Sequence, residues 1–254
     1  MNTAPTMVQS ESCPADPPLL HAEALTWQAP GGDFTLEIPS LTLHKRTCLG
    51  VIGPSGCGKS TLLGLLSLAL LPTKVRCLSL LERQLALYLS PGSHTTNRKR
   101  KRLFTTLRAE HVGFIPQTGG LLPFLTAREN IALALNVLET PPSGQSAGHI
   151  DMLAERLGII SCLEKLPSQL SVGQRQRVAI ARALIHTPPI LLADEPTAPL
   201  HPSQAAIVLD LLRTYAETQN AGVIVVSHDI DALQKAEFSL VQAQMKGNKT
   251  IIHN

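Results

Sequence analysis

The sequence predicts an α/β fold: a doubly wound core around a parallel sheet, a small antiparallel β layer ahead of it, and a helical subdomain inserted into it. Three observations carry this. Gly53-Pro54-Ser55-Gly56-Cys57-Gly58-Lys59-Ser60 fits the pattern G-x-x-x-x-G-K-[ST] between an apolar strand, Thr47–Ile52, and a helix opening at Thr61–Leu66. Val112–Ile115, Ile190–Ala193 and Val223–Val226 are short, continuously apolar runs, as in strands buried on both faces of a parallel sheet. Helical patterns at Val172–Ile185 and Ser203–Thr218 alternate with them. Between Gln117 and Ser171 the strand signals vanish, and Ala127–Leu138 and Ile150–Leu157 read as helices.

Met1 to Pro18, rich in Pro, Ser, Thr and Asn, reads as a disordered tail. The tail is counted to residue 22, and a single domain is expected over 23–254, with the helical subdomain at 118–170. Phe34–Ile38 alternates apolar and polar and, with Leu41–Leu43, forms the antiparallel layer. The glycine loop follows. Asn97-Arg-Lys-Arg-Lys-Arg102 is the one dense charge run and reads as a solvated loop; contact with anionic lipid or nucleic acid is the functional alternative. No aromatic interrupts it, so single-strand stacking has little support. Pro141–Gly148 reads as a loop inside the helical insertion.

Composition narrows the class. The chain has 254 residues, 44% hydrophobic and 16% charged, which suits a folded domain with a sizeable core. Aromatics make up 3%, so Leu, Ile, Val and Ala must fill that core. The net charge of +3 is too small to name nucleic acid as a partner. The five cysteines are scattered without a C-x-x-C pair, which argues against a disulfide framework or zinc site and for a reduced setting. Cys57 lies inside the glycine loop, where alkylation is expected to block nucleotide access. The most apolar run, Leu62–Leu71, is about half the roughly 20 residues a bilayer crossing needs. A membrane role therefore requires another subunit to supply the span.

A strand, glycine loop and helix in succession aim backbone N–H groups and a helix N-terminus at one polyphosphate. Lys59 would reach the terminal phosphates, and the Ser60 hydroxyl would ligate Mg²⁺. Ile190–Ala193 runs into two adjacent carboxylates. Successive strand residues face opposite ways, so Asp194 suits a Mg²⁺ shell while Glu195 faces the γ-phosphate to polarise water. Leu170-Ser171-Val172-Gly173-Gln174 opens the 172–185 helix as a second anion site. Two chains placed head to tail would bring both sites to one phosphate.

These residues resemble the ATP-binding cassette ATPases, the nucleotide-binding subunits of membrane transporters, from about Ala24 to Ser239. The resemblance implies a P-loop NTPase (RecA-like) core, ATP and Mg²⁺ as ligands, and ATP hydrolysis. It assigns Gly53 to Thr61 to the Walker A loop, with Gln117 as the glutamine that touches Mg²⁺ and attacking water. Ser171, Gly173 and Gln174 fall in the signature motif that caps a partner's γ-phosphate. Asp194 and Glu195 are Walker B and the catalytic base, and His228 is the switch histidine. Trp27 lies where the family stacks an aromatic on adenine. The resemblance further implies a second ATPase subunit, as homodimer or heterodimer, and a separate permease docked near Leu121, Leu122 and Phe124. Nucleic acid is not expected, and the place is the cytoplasmic side of the inner membrane. Leu121–Asn130 and Leu192–Thr197 look like the cassettes of lipoprotein-release and macrolide-export systems. Val172 replaces a usual glycine, His201 a usual aspartate and Lys45-Arg-Thr47 a usual Gly-Glu turn. Those departures leave an alternative open: a low-turnover, ATP-gated regulator or silent half of a heterodimer.

Overall fold

The computed structural model describes residues 16–89, 96–136, 138 and 147–253. The strands in chain order are β1 (Leu20–Gln28), β2 (Thr35–Leu43), β3 (Thr47–Ile52), β4 (Cys77–Leu80), β5 (Arg83–Gln84), β6 (Val112–Ile115), β7 (Ile190–Asp194), β8 (Gly222–Ser227), β9 (Ser239–Lys246) and β10 (Lys249–Ile252). The helices are α1 (Lys59–Leu66), α2 (Asn97–His111), α3 (Ala127–Asn136), α4 (Ala147–Arg156), α5 (Val172–Leu184), α6 (Pro202–Thr218) and α7 (Ile230–Lys235). All ten strands form one sheet in the order β5-β4-β1-β2-β10-β9-β3-β8-β7-β6.

Strands β9-β3-β8-β7-β6 run parallel. Strands β5-β4-β1-β2 are antiparallel. The β9–β10 hairpin joins the two halves, because β9 is parallel to β3 and β10 is parallel to β2. The parallel half sorts its side chains by parity, as the strand period of two requires. Leu191, Ala193, Val223 and Val225 enter one core, with α5 and α6. Ile190, Leu192, Ile224 and Val226 enter the other, with α1, α2 and the antiparallel strands. Between β6 and β7 the described residues hold only helices and two short 3-10 turns.

Several expectations need correction. β1 begins at Leu20, inside the stretch counted as tail, and Leu19, Leu20 and Ala22 are buried. Residues 1–15 lie outside the described residues. Phe34–Ile38 and Leu41–Leu43 belong to one strand, β2, that continues through Pro39. The β1–β2 ladder passes over Ala24 and Pro39, since proline has no N–H to give. The basic run is not a loop: it forms the first turns of α2, with Thr96 as N-cap accepting from Lys99 N–H. Phe104 and Leu107 anchor that helix in the core, a periodicity the charges masked. Of the Pro141–Gly148 loop, residues 141–146 lie outside the described residues, and Ala147 and Gly148 begin α4.

Candidate active site

β3 lies between β8 and β9 and delivers the chain at Ile52 into the glycine loop. Gly56 (φ 77°) and Gly58 (φ 89°) take the left-handed backbone that turns the loop into α1. Gly58 is also a site of close approach: a Cβ there would sit 2.8 Å from Phe34 Cζ. α1 has no side-chain cap and no acid in its first turn, so its leading amides and dipole face outward toward an anion. Lys59, buried, donates from Nζ to the Gly53 and Pro54 carbonyls at 2.8 and 3.0 Å, which holds the loop closed on itself.

Ser55, Gly56, Gly58, Lys59, Ser60 and Thr61 line one side of a cleft of about 290 Å³. Gln117, Asp194 and Glu195 line the rest. Gly53 and Pro54 border a neighbouring hollow together with His228. Cys57 departs from expectation. Its side chain is fully buried in the core beneath the loop, so an alkylating reagent cannot reach it in the folded chain.

All five residues of β7 are buried, and Asp194 ends the strand at the cleft. Glu195 follows with φ 47°, and its N–H donates to Val226 O at 2.9 Å. This left-handed backbone is strained by roughly 1–3 kcal/mol in a non-glycine residue. It turns the Glu195 side chain away from the direction strand continuation would give. His228, beyond β8, places Nδ1 2.9 Å from Glu195 Oε2. The carboxylate is nearly buried and the imidazole largely exposed, so the histidine closes one side of the glutamate without hiding itself.

Gln117 is exposed in the turn after β6. Sequence reasoning missed what holds that turn. Gln176, buried in α5, donates to Pro116 O at 3.3 Å. Arg182, six residues further along, donates to Gly119 and Gly120 carbonyls at 2.9 and 2.8 Å. Their positions on the α5 stripe were visible, but their partners are about sixty residues away. Asn130 was also missed, although its partners lie only four to eight residues away. Fully buried, it accepts from Leu122 N–H and donates to the carbonyls of Leu122, Leu125 and Thr126.

Ser171, Gly173 and Gln174 do not line the cleft of their own chain. Ser171 caps α5 in a reciprocal box with Gln174, at 3.2 and 2.8 Å. Val172 is 56% exposed beside it. Trp27, half-buried, lies 6.5 Å from Phe34 ring to ring, so the expected stacking residue and the missed Phe34 form one aromatic edge beside Gly58. His201 caps α6, its Nδ1 accepting from Ser203 N–H at 3.4 Å. Arg46, in the altered turn before β3, takes φ 57° and donates from Nε to Asn220 Oδ1 at 2.6 Å.

The ABC transporter family profile matches residues 36–198, more than half of the chain and every element from β2 through Walker B. The chain belongs to the ABC transporter ATPases. The cassette is 39% identical over 190 residues to the lipoprotein-releasing system ATP-binding protein LolD of Shewanella denitrificans, covering 75% of this chain and 76% of that one. It is 35% identical over 218 residues to the ABC transporter ATP-binding protein YtrE of Bacillus subtilis, covering 85% and 89%. With the macrolide export ATP-binding/permease protein MacB 1 of Aeromonas hydrophila it shares 35% over 223 residues, 87% of this chain and 32% of that longer one. These matches place the cassette in the lipoprotein-release and macrolide-export subgroup. Among solved structures, the dimeric cassette MJ0796 superimposes with a TM-score of 0.75 at 28% identity, covering 91% of this chain and 96% of that one. A dimeric post-hydrolysis state of MJ0796 bound to ADP and Pi superimposes equally well. The fold is that of a P-loop NTPase, and the cassette is an ATP-hydrolysing enzyme.

Proposed function

We propose that two such cassettes sandwich two ATP molecules and drive a separate membrane permease of the export or extraction type. The observation that carries this reading is the composition of the cleft. It gathers the phosphate loop, Gln117, Asp194 and Glu195 on one chain and leaves Ser171, Gly173 and Gln174 outside. A signature turn that faces away from its own site is free to cap a partner's.

In this reading the α1 amides and Lys59 hold the β- and γ-phosphates, Lys59 exchanging the Gly53 and Pro54 carbonyls for phosphate oxygens. Trp27, with Phe34 behind it, offers a face to adenine. The donors Ser60, Asp194 and Gln117 are all oxygen ligands, few in number, and fit Mg²⁺. Mg²⁺ bound there supplies charge neutralisation for the terminal phosphates. Glu195 accepts a proton from the attacking water, and His228 holds the carboxylate in place through the 2.9 Å bond and reaches toward the γ-phosphate.

The permease would meet the helical insertion. Phe124 is 72% exposed, with Leu121 and Leu122 beside it. A mostly apolar groove of about 380 Å³ opens between α2, β6, α3 and α5, lined by Arg108, Phe114, Leu133, Ala134, Arg182 and His186. No helix among the described residues is long and apolar enough to cross a membrane. In this reading the cassette works peripherally, on the cytoplasmic side of the inner membrane, with the permease as anchor and no role for nucleic acid. A second reading, the low-turnover half of a heterodimer, is favoured by exposed Val172 at the signature and by His201 at the α6 cap.

The test is ATP turnover with Mg²⁺, first by the cassette alone and then with its co-purifying membrane protein in lipid. A sharp rise with the partner is expected. Flat, near-zero turnover in both, with ATP still bound, would favour the second reading.

His186, on the groove, adds a pH dependence. Burial lowers its imidazole pKa from 6.5 to about 4, an effect only partly opposed by the Val112 backbone. The unfolded chain therefore binds the extra proton between those values, so this contribution is complete above about pH 6.5 and is lost as pH falls toward 4. Moving from about pH 7 to about pH 5 should lower unfolding stability by about 2 kcal/mol, measured by urea titration. His186→Leu should remove most of that difference.

A further inference from the structure

We propose that the first turns of α2 form a binding surface for an anionic lipid bilayer. Arg98, Lys99, Lys101 and Arg102 are exposed. None of the four makes an ion pair among the described residues. Their spacing puts like charges three and four residues apart on one helix, which opposes helix formation. They also lie at the N-terminal end, where the helix dipole is positive and favours acids; the first turn contains none. Four cations concentrated against both effects destabilise the isolated helix, and an external anionic surface reverses the sign of each contribution. Arg100 is set apart by a structural role, donating to Tyr88 O and Asn97 Oδ1.

The fold aims this charge. α2 passes into β6 without a loop and packs beside it. Thr105, Arg108 and Ala109 face the apolar groove beside Val112 and Phe114. The helix is about 22 Å long, so its cationic turns lie at the end remote from β6. One helix thus lines the groove offered to a permease with its later turns and carries four exposed cations on its first turns. Single-stranded nucleic acid is the poorer fit because the run has no interleaved aromatic, and a duplex because the net charge of the chain is only +3. The inference rests on the cassette working beneath a membrane.

Sedimentation of the purified full chain with vesicles tests it. Vesicles of phosphatidylcholine alone are compared with equal parts phosphatidylcholine and phosphatidylglycerol. Binding only to the anionic vesicles is expected, weakening as salt shortens the Debye length. A variant carrying R98Q, K99Q, K101Q and R102Q should lose at least about 100-fold in partition, given about fivefold for each basic residue near such a surface. The same variant should keep the wild-type melting temperature or exceed it, and keep basal ATP turnover. Equal partition to both vesicle types, unchanged partition of the variant, or tighter binding of a DNA duplex than of anionic vesicles would each overturn the proposal. Loss of turnover with partition intact would instead strike the ATPase reading alone.

Discussion

Glu195→Gln is expected to lower ATP turnover about 10²–10⁴-fold while leaving ATP affinity within a few-fold of wild type. The substitution keeps the side-chain shape, and the amide can still bond His228 Nδ1 across 2.9 Å. It removes only the carboxylate proposed to accept the water's proton. ATP binding should persist because the phosphate loop, Ser60 and Asp194 are untouched, and the ATP-bound variant should accumulate as a dimer in size-exclusion chromatography. Turnover close to wild type would move the base elsewhere in the cleft. His228→Ala should give a smaller loss, since it frees the Glu195 carboxylate to turn without removing it.

Asn130→Ala is expected to destabilise the fold by about 2–4 kcal/mol, a fall in melting temperature of roughly 5–15 °C. One buried amide serves four backbone groups of the 122–126 turn, and alanine leaves them to find partners where water has little access. Asn130→Asp should also destabilise, because a carboxylate accepts from Leu122 N–H but cannot donate to the three carbonyls. The turn it staples carries Leu121, Leu122 and Phe124, so limited proteolysis should cut there first in both variants. An alanine variant within about 0.5 kcal/mol of wild type would show that the turn is held by packing alone.

How far each feature could be read from the residues follows from the range of the interaction that makes it. The strands Thr47–Ile52 and Val112–Ile115 were legible to the residue, because burial on both faces of a parallel sheet demands unbroken apolar runs. Helices α5 and α6 were legible within a residue or two from their periodicity and caps. Strands β1, β4, β9 and β10 were not. β1, β9 and β10 each have an exposed or partly exposed face, Ser239–Lys246 alternates too weakly to stand out, and β4 is only four residues long. α2 was misread because mean polarity outweighed the Phe104 and Leu107 anchors. In the site, the chemistry of the loop and of Asp194-Glu195 was plain from spacing. The strained φ at Glu195, its bond to His228 and the burial of Cys57 were not, since each depends on a strand or helix far away in the chain.

By itself the sequence determined that this chain has a phosphate loop, a carboxylate pair and a signature turn on an α/β scaffold, because those depend on local spacing and period. Only the tertiary structure decided which of them meet. β3, β6 and β7 end at the same edge of one sheet and pour their loops into a single cleft, while α5 leads the signature away from it. The same packing decided that Phe34 lies against Gly58, that Asn130, Gln176 and Arg182 hold the turns, and that the basic run lies on a helix. The contacts of Phe34, Gln176 and Arg182 join residues tens of positions apart, and no local pattern encodes a distance that only the folded chain brings about.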